Sequence, residues 1–105
     1  MWWYYLVAIP AAALLMNGMP HFTQGIAGKR FPSPFVGGPP RLDSALNNVL
    51  WGSGNLVIGG LLLWLISPGL GDWPLVAELV LVAIGFAALI AAFFEHPERF
   101  GRGGN

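Results

Sequence analysis

The run LVAELVLVAIGFAALIAAFF, from Leu75 to Phe94, carries one charged side chain, Glu78, over a length that crosses the hydrocarbon of a bilayer. Backbone N–H and C=O groups in lipid have no water to pair with, so such a run is restricted to a helix that satisfies them internally. Two further apolar runs precede it, from Trp2 to about Met19 and from Ser44 to about Ile66. At 105 residues, 55% hydrophobic and 10% charged, the chain is too short for two ordinary domains and too apolar for a typical soluble one. The expected fold is all-α, a single membrane domain over residues 1–105. Three transmembrane helices are placed at about 2–19, 44–66 and 74–94, with a structured cytoplasmic loop over 20–43 and a flexible tail over 97–105.

The first run opens WWYY, four amphipathic rings of the kind that settle among lipid headgroups. No Lys or Arg occurs before Lys29, so the basic segment that begins a secretory signal is missing and the run reads as a retained helix. Pro10 removes a backbone donor and predicts a kink. Asn17, Gly18 and Pro20 read as a helix stop.

The second span can be capped by Asp43 or Ser44. Ser44, Asn48, Gly52, Asn55 and Gly59 recur at intervals of three or four, which puts them on one helical face. Small and polar residues at that spacing suit contact with protein, where backbones approach closely and each Asn adds an interhelical bond of about 1 kcal/mol. The turn SPGLGDWP is short, and it predicts that the second and third helices form an antiparallel hairpin. Pro74 fits the first turn of the third helix, and Asp72 or Glu78 complements its dipole. Ala83, Ala87 and Ala91, and likewise Gly85 and Ala92, form small-residue ladders suited to close packing.

The connection over residues 20 to 42 is long for a loop and rich in Gly and Pro, yet Phe22, Phe31 and Phe35 are costly to leave in water. It is expected to fold back on the membrane surface or the helix ends. Lys29, Arg30 and Arg41 lie in it, and Arg99 and Arg102 lie in the tail, while the start and the second turn carry no Lys or Arg. By the positive-inside rule this places the N-terminus outside and the C-terminus in the cytoplasm.

Candidate sites are few. His21, near Asn17 and Gln24, can hold haem, metal or a pigment, or can be a hydrogen-bonded structural residue. Lys29, Arg30 and Arg41 can contact a lipid headgroup or other anion, or can simply set topology. Glu78 is the one intramembrane carboxylate and the candidate for proton-linked transport, although a position one turn from a helix N-terminus explains it by snorkelling and dipole stabilisation. Asn48 and Asn55 can line a polar path or serve helix packing, together with Asn17, Ser44, Gly52 and Gly59. His96 with Glu95 and Glu98 reads as a solvated helix end more readily than as a metal site.

No nucleophile with a base, phosphate-binding glycine loop or paired carboxylates occurs at a recognisable spacing. The sequence therefore points away from an enzyme, and no catalytic residue, metal site or required cofactor is assigned. Cysteine is absent, which removes thiolate chemistry and disulfides. The basic residues form no dense cluster, which excludes a nucleic-acid footprint.

NGMPHF, GIAGKRFPSPF and NNVLWGSGN together resemble a group of small bacterial inner-membrane proteins, generally unassigned in function, that carry a similar Asn-Gly-x-Pro-His-Phe segment and Phe-Pro-x-Pro-Phe loop. The resemblance spans roughly Asn17 to Asn55 and implies a bacterial membrane location but no chemistry. A fainter similarity to DoxX-like membrane proteins rests on the hydrophobic pattern and the Gly-rich first connection. Those proteins usually have four spans, so no function is carried across.

The leading expectation is a non-enzymatic accessory or interaction subunit of a membrane assembly. Its partners would be the lipid bilayer and either further copies of itself or other membrane subunits. An oligomeric small-solute or proton-linked transporter is the competing class, and haem or pigment binding through His21 is a third.

Overall fold

The computed structural model describes residues Met1–His96, and most of it is helix. α1 spans Trp3–Ile26, α2 spans Ala45–Leu65 and α3 spans Trp73–Glu95, with short 3₁₀ turns at Pro34–Val36 and Ser67–Gly69. The fold is thus all-α, and each of the three helices is long and apolar enough to cross a membrane. The expected flexible tail at 97–105, with Glu98, Arg99 and Arg102, lies outside the described residues.

The first helix does not stop at Asn17, Gly18 or Pro20. It continues to Ile26, so the connection begins about seven residues later than its composition predicts. The reason is tertiary. Ala8, Ala11, Gly18, His21 and Gly25 lie on one buried face, and the last turns of that face are occupied by α2. Pro20 forfeits one donor, a small loss beside a packed interface. The stop is built at Gly28, which adopts a left-handed φ of 75°. Gly28 N donates to Gly25 O at 2.9 Å and Lys29 N to Gln24 O at 3.0 Å, the Schellman pattern that satisfies the terminal carbonyls.

α2 begins as expected. Ser44 Oγ accepts from Asn47 N, and Asp43 Oδ1 accepts from Ser44 N and from the Asn47 amide. Its buried residues are Asn48, Gly52, Asn55 and Gly59, the face foreseen from spacing, and that face lies on α1. A Cβ added to Gly52 would come within 2.6 Å of Phe22 N, and one added to Gly18 within 2.8 Å of Gly52 O. The two backbones therefore touch, which small residues alone permit.

α3 starts with Pro74 in its first turn, but Asp72 makes no side-chain cap bond. Leu75 is buried with Ala8 and Ile66, with Tyr4 packed beside them, at one end of the molecule. His21 meets Phe94 and Asn48 at the other. α1 therefore runs antiparallel to α2 and parallel to α3, and α2 and α3 run in opposite senses. They do not close on each other as a packed hairpin. Both pack on α1, which occupies the middle of the sheet-like bundle, 47 × 28 × 18 Å in extent. α1 wins that place because its buried residues are Ala and Gly along most of its length and His21 toward the loop, whereas α3 exposes Leu81, Ile84 and Leu89.

The Leu75 end carries Trp2, Trp64 and Trp73, exposed by 73%, 73% and 78%. Exposed indoles at one level match an aromatic belt at a membrane interface.

Candidate functional site

At the opposite end, the connection over 27–44 folds back on the helix ends and is tied to them through Asn48. The Asn48 amide nitrogen donates to Phe31 O at 2.8 Å and Ser44 O at 2.9 Å, and its Oδ1 lies 2.7 Å from His21 Nδ1. The two carbonyl partners fix the orientation of the amide, since only NH₂ can donate to them. Oδ1 therefore accepts, and His21 Nδ1 carries the proton. His21 is thus pinned to α2, and Asn48 joins α1, α2 and the loop in one step.

The loop is closed by a short two-stranded contact. Phe31 and Asp43 exchange backbone bonds at 3.2 and 2.9 Å, and Ser33 Oγ donates to Asp43 Oδ2 at 2.6 Å. Ser33 and Asp43 are both buried. The Ser33 hydroxyl above all holds the Asp43 carboxyl below the ordinary aspartate range. The Asn47 amide, the Ser44 N–H and the nearby Arg30 charge act in the same direction, and burial acts against them. Pro39–Pro40 is a cis bond in the same loop.

Beneath this loop lies a cavity of about 540 Å³, within the usual range for small-molecule sites. α1 contributes Asn17 and His21, α2 contributes Trp51, and α3 contributes Phe86, Leu89, Ile90, Phe93 and Phe94. The loop roofs it with Pro32, Ser33, Pro34 and the 37–39 segment. His21 sits edge-on to Phe31, Phe94 and Trp51, with ring centroids 5.3, 6.1 and 6.4 Å away.

Two nitrogens in this wall have no partner among the described residues. Trp51 Nε1 is the one buried side-chain nitrogen or oxygen sealed from solvent without a hydrogen bond. His21 Nε2 also lacks one, and because it is not sealed it holds part of the 2% of accessible surface that His21 keeps. In the neutral ring, with Nδ1 protonated, Nε2 is an acceptor. In the largely apolar, aromatic lining His21 is thus a polar residue with an unpaired acceptor, beside Asn17 and Ser33, while Trp51 Nε1 is sealed behind the wall.

Of the remaining candidates only Asn17 also lines the cavity. Asn17 donates to Asn55 Oδ1 at 3.1 Å, and Asn55 donates to Trp51 O at 2.8 Å, so this pair is spent on the α1–α2 contact. Ser44 is a cap, and Gly52 and Gly59 allow backbone contact. Lys29, Arg30 and Arg41 are exposed around the loop, and Arg30 donates to Leu42 O at 3.1 Å. Glu78 lies one turn beyond Leu75, at the other end of α3 from Phe94, and so far from Asn48. No group of three metal-binding side chains occurs among the described residues, and Glu95 pairs with His96 at 3.0 Å.

Sequence reasoning missed Ser33, Trp51 and the aromatic end of α3 as site residues. Ser33 alone left a trace, in the stiff FPSPF context, while Phe86, Phe93 and Phe94 look like lipid-facing residues until the fold places them. Comparison with protein families, curated proteins and solved structures finds no match to this chain.

Proposed function

We propose that the chain is a non-enzymatic accessory protein of the bacterial inner membrane that holds a lipid-soluble small molecule in the cavity under the 27–44 loop. The observation that carries this reading is His21. It is a buried imidazole whose tautomer is fixed by Asn48, which leaves Nε2 unpaired, and the residue lines an aromatic cavity. Largely apolar cavities of this size with a few convergent polar groups are the usual form of a ligand site. A haem or other pigment bound through Nε2 is one form of the same reading.

The N-terminus lies outside and the loop end faces the cytoplasm, since all three basic residues before the tail lie at that end and the indoles lie at the other. Assembly with further copies or with other subunits is favoured by α3, which carries little buried surface while Gly85 has open space around it. Transport through Glu78 is the less supported alternative, because Glu78 and the Asn48/Asn55 face are apart and the two asparagines are already paired.

Purification in mild detergent tests the reading. Solvent extraction with mass spectrometry should yield one apolar small molecule near one per chain, and an absorption spectrum tells whether it is a pigment. Protein that carries no molecule and binds none on screening would sink the proposal. A co-purifying protein would identify the assembly.

A further inference from the structure

We infer that the molecule held in this cavity carries a hydroxyl on a ring and reaches its site from within the bilayer, an inference that rests on the ligand-holding reading above. The chemistry follows from the wall. His21 Nδ1 must donate to Asn48, so in the neutral ring Nε2 can only accept, and a ligand group facing it must present a hydrogen. A carbonyl ligand would face His21 with lone pair against lone pair. A hydrocarbon would leave Nε2 unpaired. A hydroxyl donates its hydrogen to Nε2.

The rest of the box selects a ring. Phe86, Phe93, Phe94 and Trp51 line it, and the neighbouring rings already meet edge to face, an arrangement that accepts another planar ring. Anions are disfavoured, because the nearest cations, Lys29, Arg30 and Arg41, are exposed on the loop and are not among the lining residues. The route is lateral. α2 and α3 do not pack together, so the side of the cavity between Trp51 and Leu89 is not closed by a helix contact, and in a membrane that side faces acyl chains. The loop side is closed by Ser33, Asp43 and the Phe31–Asp43 pairing.

The test uses the full chain in nanodiscs with two probes, 4-octylphenol and its methyl ether, 4-octylanisole, against empty nanodiscs. They differ by one hydrogen-bond donor. The phenol is expected to bind about fivefold more tightly, the effect of one neutral hydrogen bond. The His21 Nε2 nitrogen resonance, assigned with a His96→Gln chain, should shift upfield with the phenol and stay in place with the ether. That readout needs no change at His21, where His21→Phe would also cut the bond to Asn48 and unfold the bundle end. Equal binding of the two probes, or an unmoved Nε2 with the phenol bound, would overturn the hydroxyl assignment while leaving the cavity reading intact. Binding of neither probe would overturn both.

Discussion

His21 Nδ1 donates to Asn48 Oδ1 over 2.7 Å, and this single bond links the last turns of α1 to the first turns of α2. The direction of the bond is set by the carbonyls of Phe31 and Ser44 on the other side of the amide. It is therefore a structural bond that also sets the state of the other ring nitrogen, because Nε2 of the neutral His21 is left as an acceptor.

Removing the Asn48 amide tests the first half of that statement. Asn48→Leu keeps similar volume but strands the buried His21 N–H, while the Phe31 carbonyl keeps its bond from Asp43 N. A loss of about 2 kcal/mol is expected from the one orphaned buried donor. Asn55→Leu should cost nearer 1 kcal/mol, typical of an interhelical pair in a membrane. Denaturation in mixed micelles should rank the two in that order.

The glycines of the α1–α2 contact give a sharper contrast. Gly52→Ala places a Cβ 2.6 Å from Phe22 N, against backbone that cannot rotate away, so the helices must separate. Overpacking of this kind costs about 1–3 kcal/mol. Gly54→Ala, two residues on, meets nothing within 4 Å. It should be neutral or slightly stabilising, since alanine restricts the unfolded chain and favours helix. Equal melting of the two variants would contradict the close approach.

Asp43 makes the loop acid-sensitive. Its carboxyl titrates below the ordinary aspartate value of 3.8, chiefly because Ser33 donates to it. A depressed carboxyl contributes stability that is fully present above its unfolded value. That contribution is lost as pH falls through the lower folded value. Amide exchange at Phe31 and Phe35 should therefore stay slow from neutral pH down to about pH 4 and rise below it, once corrected for the intrinsic pH dependence. Ser33→Ala should flatten this acid dependence, because the foremost cause of the depression is gone and the folded and unfolded values draw together.

How far the sequence led follows from where the signals lie. The Ser44–Asn48–Gly52–Asn55–Gly59 spacing is local, so the buried face of α2 was legible, and the cap residues with it. The end of α1 was not. Asn17, Gly18 and Pro20 weaken a helix locally, but here Gly18 and Gly25 are the surfaces that α2 touches, and packing outweighs propensity. Gly28 was the true stop, one glycine among 15. The cavity was illegible for a different reason. It is assembled from Asn17 and His21, the 32–39 roof, Trp51 and the 86–94 stretch, and no period or motif links positions so far apart. The same holds for the place of α1 between α2 and α3, since a short turn signals a hairpin but not which helix fills its middle.

The proposed threading rests on the basic residues, and the indoles only mark the opposite end as an interface. Lys29, Arg30 and Arg41 sit at the loop end, and Trp2, Trp64 and Trp73 sit at the other, which bears no Lys or Arg. Positive residues favour the cytoplasmic side, while indoles mark an interface without choosing a side. Alkaline phosphatase, active only outside, should be active when fused within the turn at Gly71 and silent when fused at Gly37 or at the C-terminus. Because α1 and α3 run parallel, the N-terminus must share the side of Gly71. Activity at Gly37 with silence at Gly71 would turn the molecule over, and would put the cavity, its loop and Asp43 on the outer face, exposed to external pH.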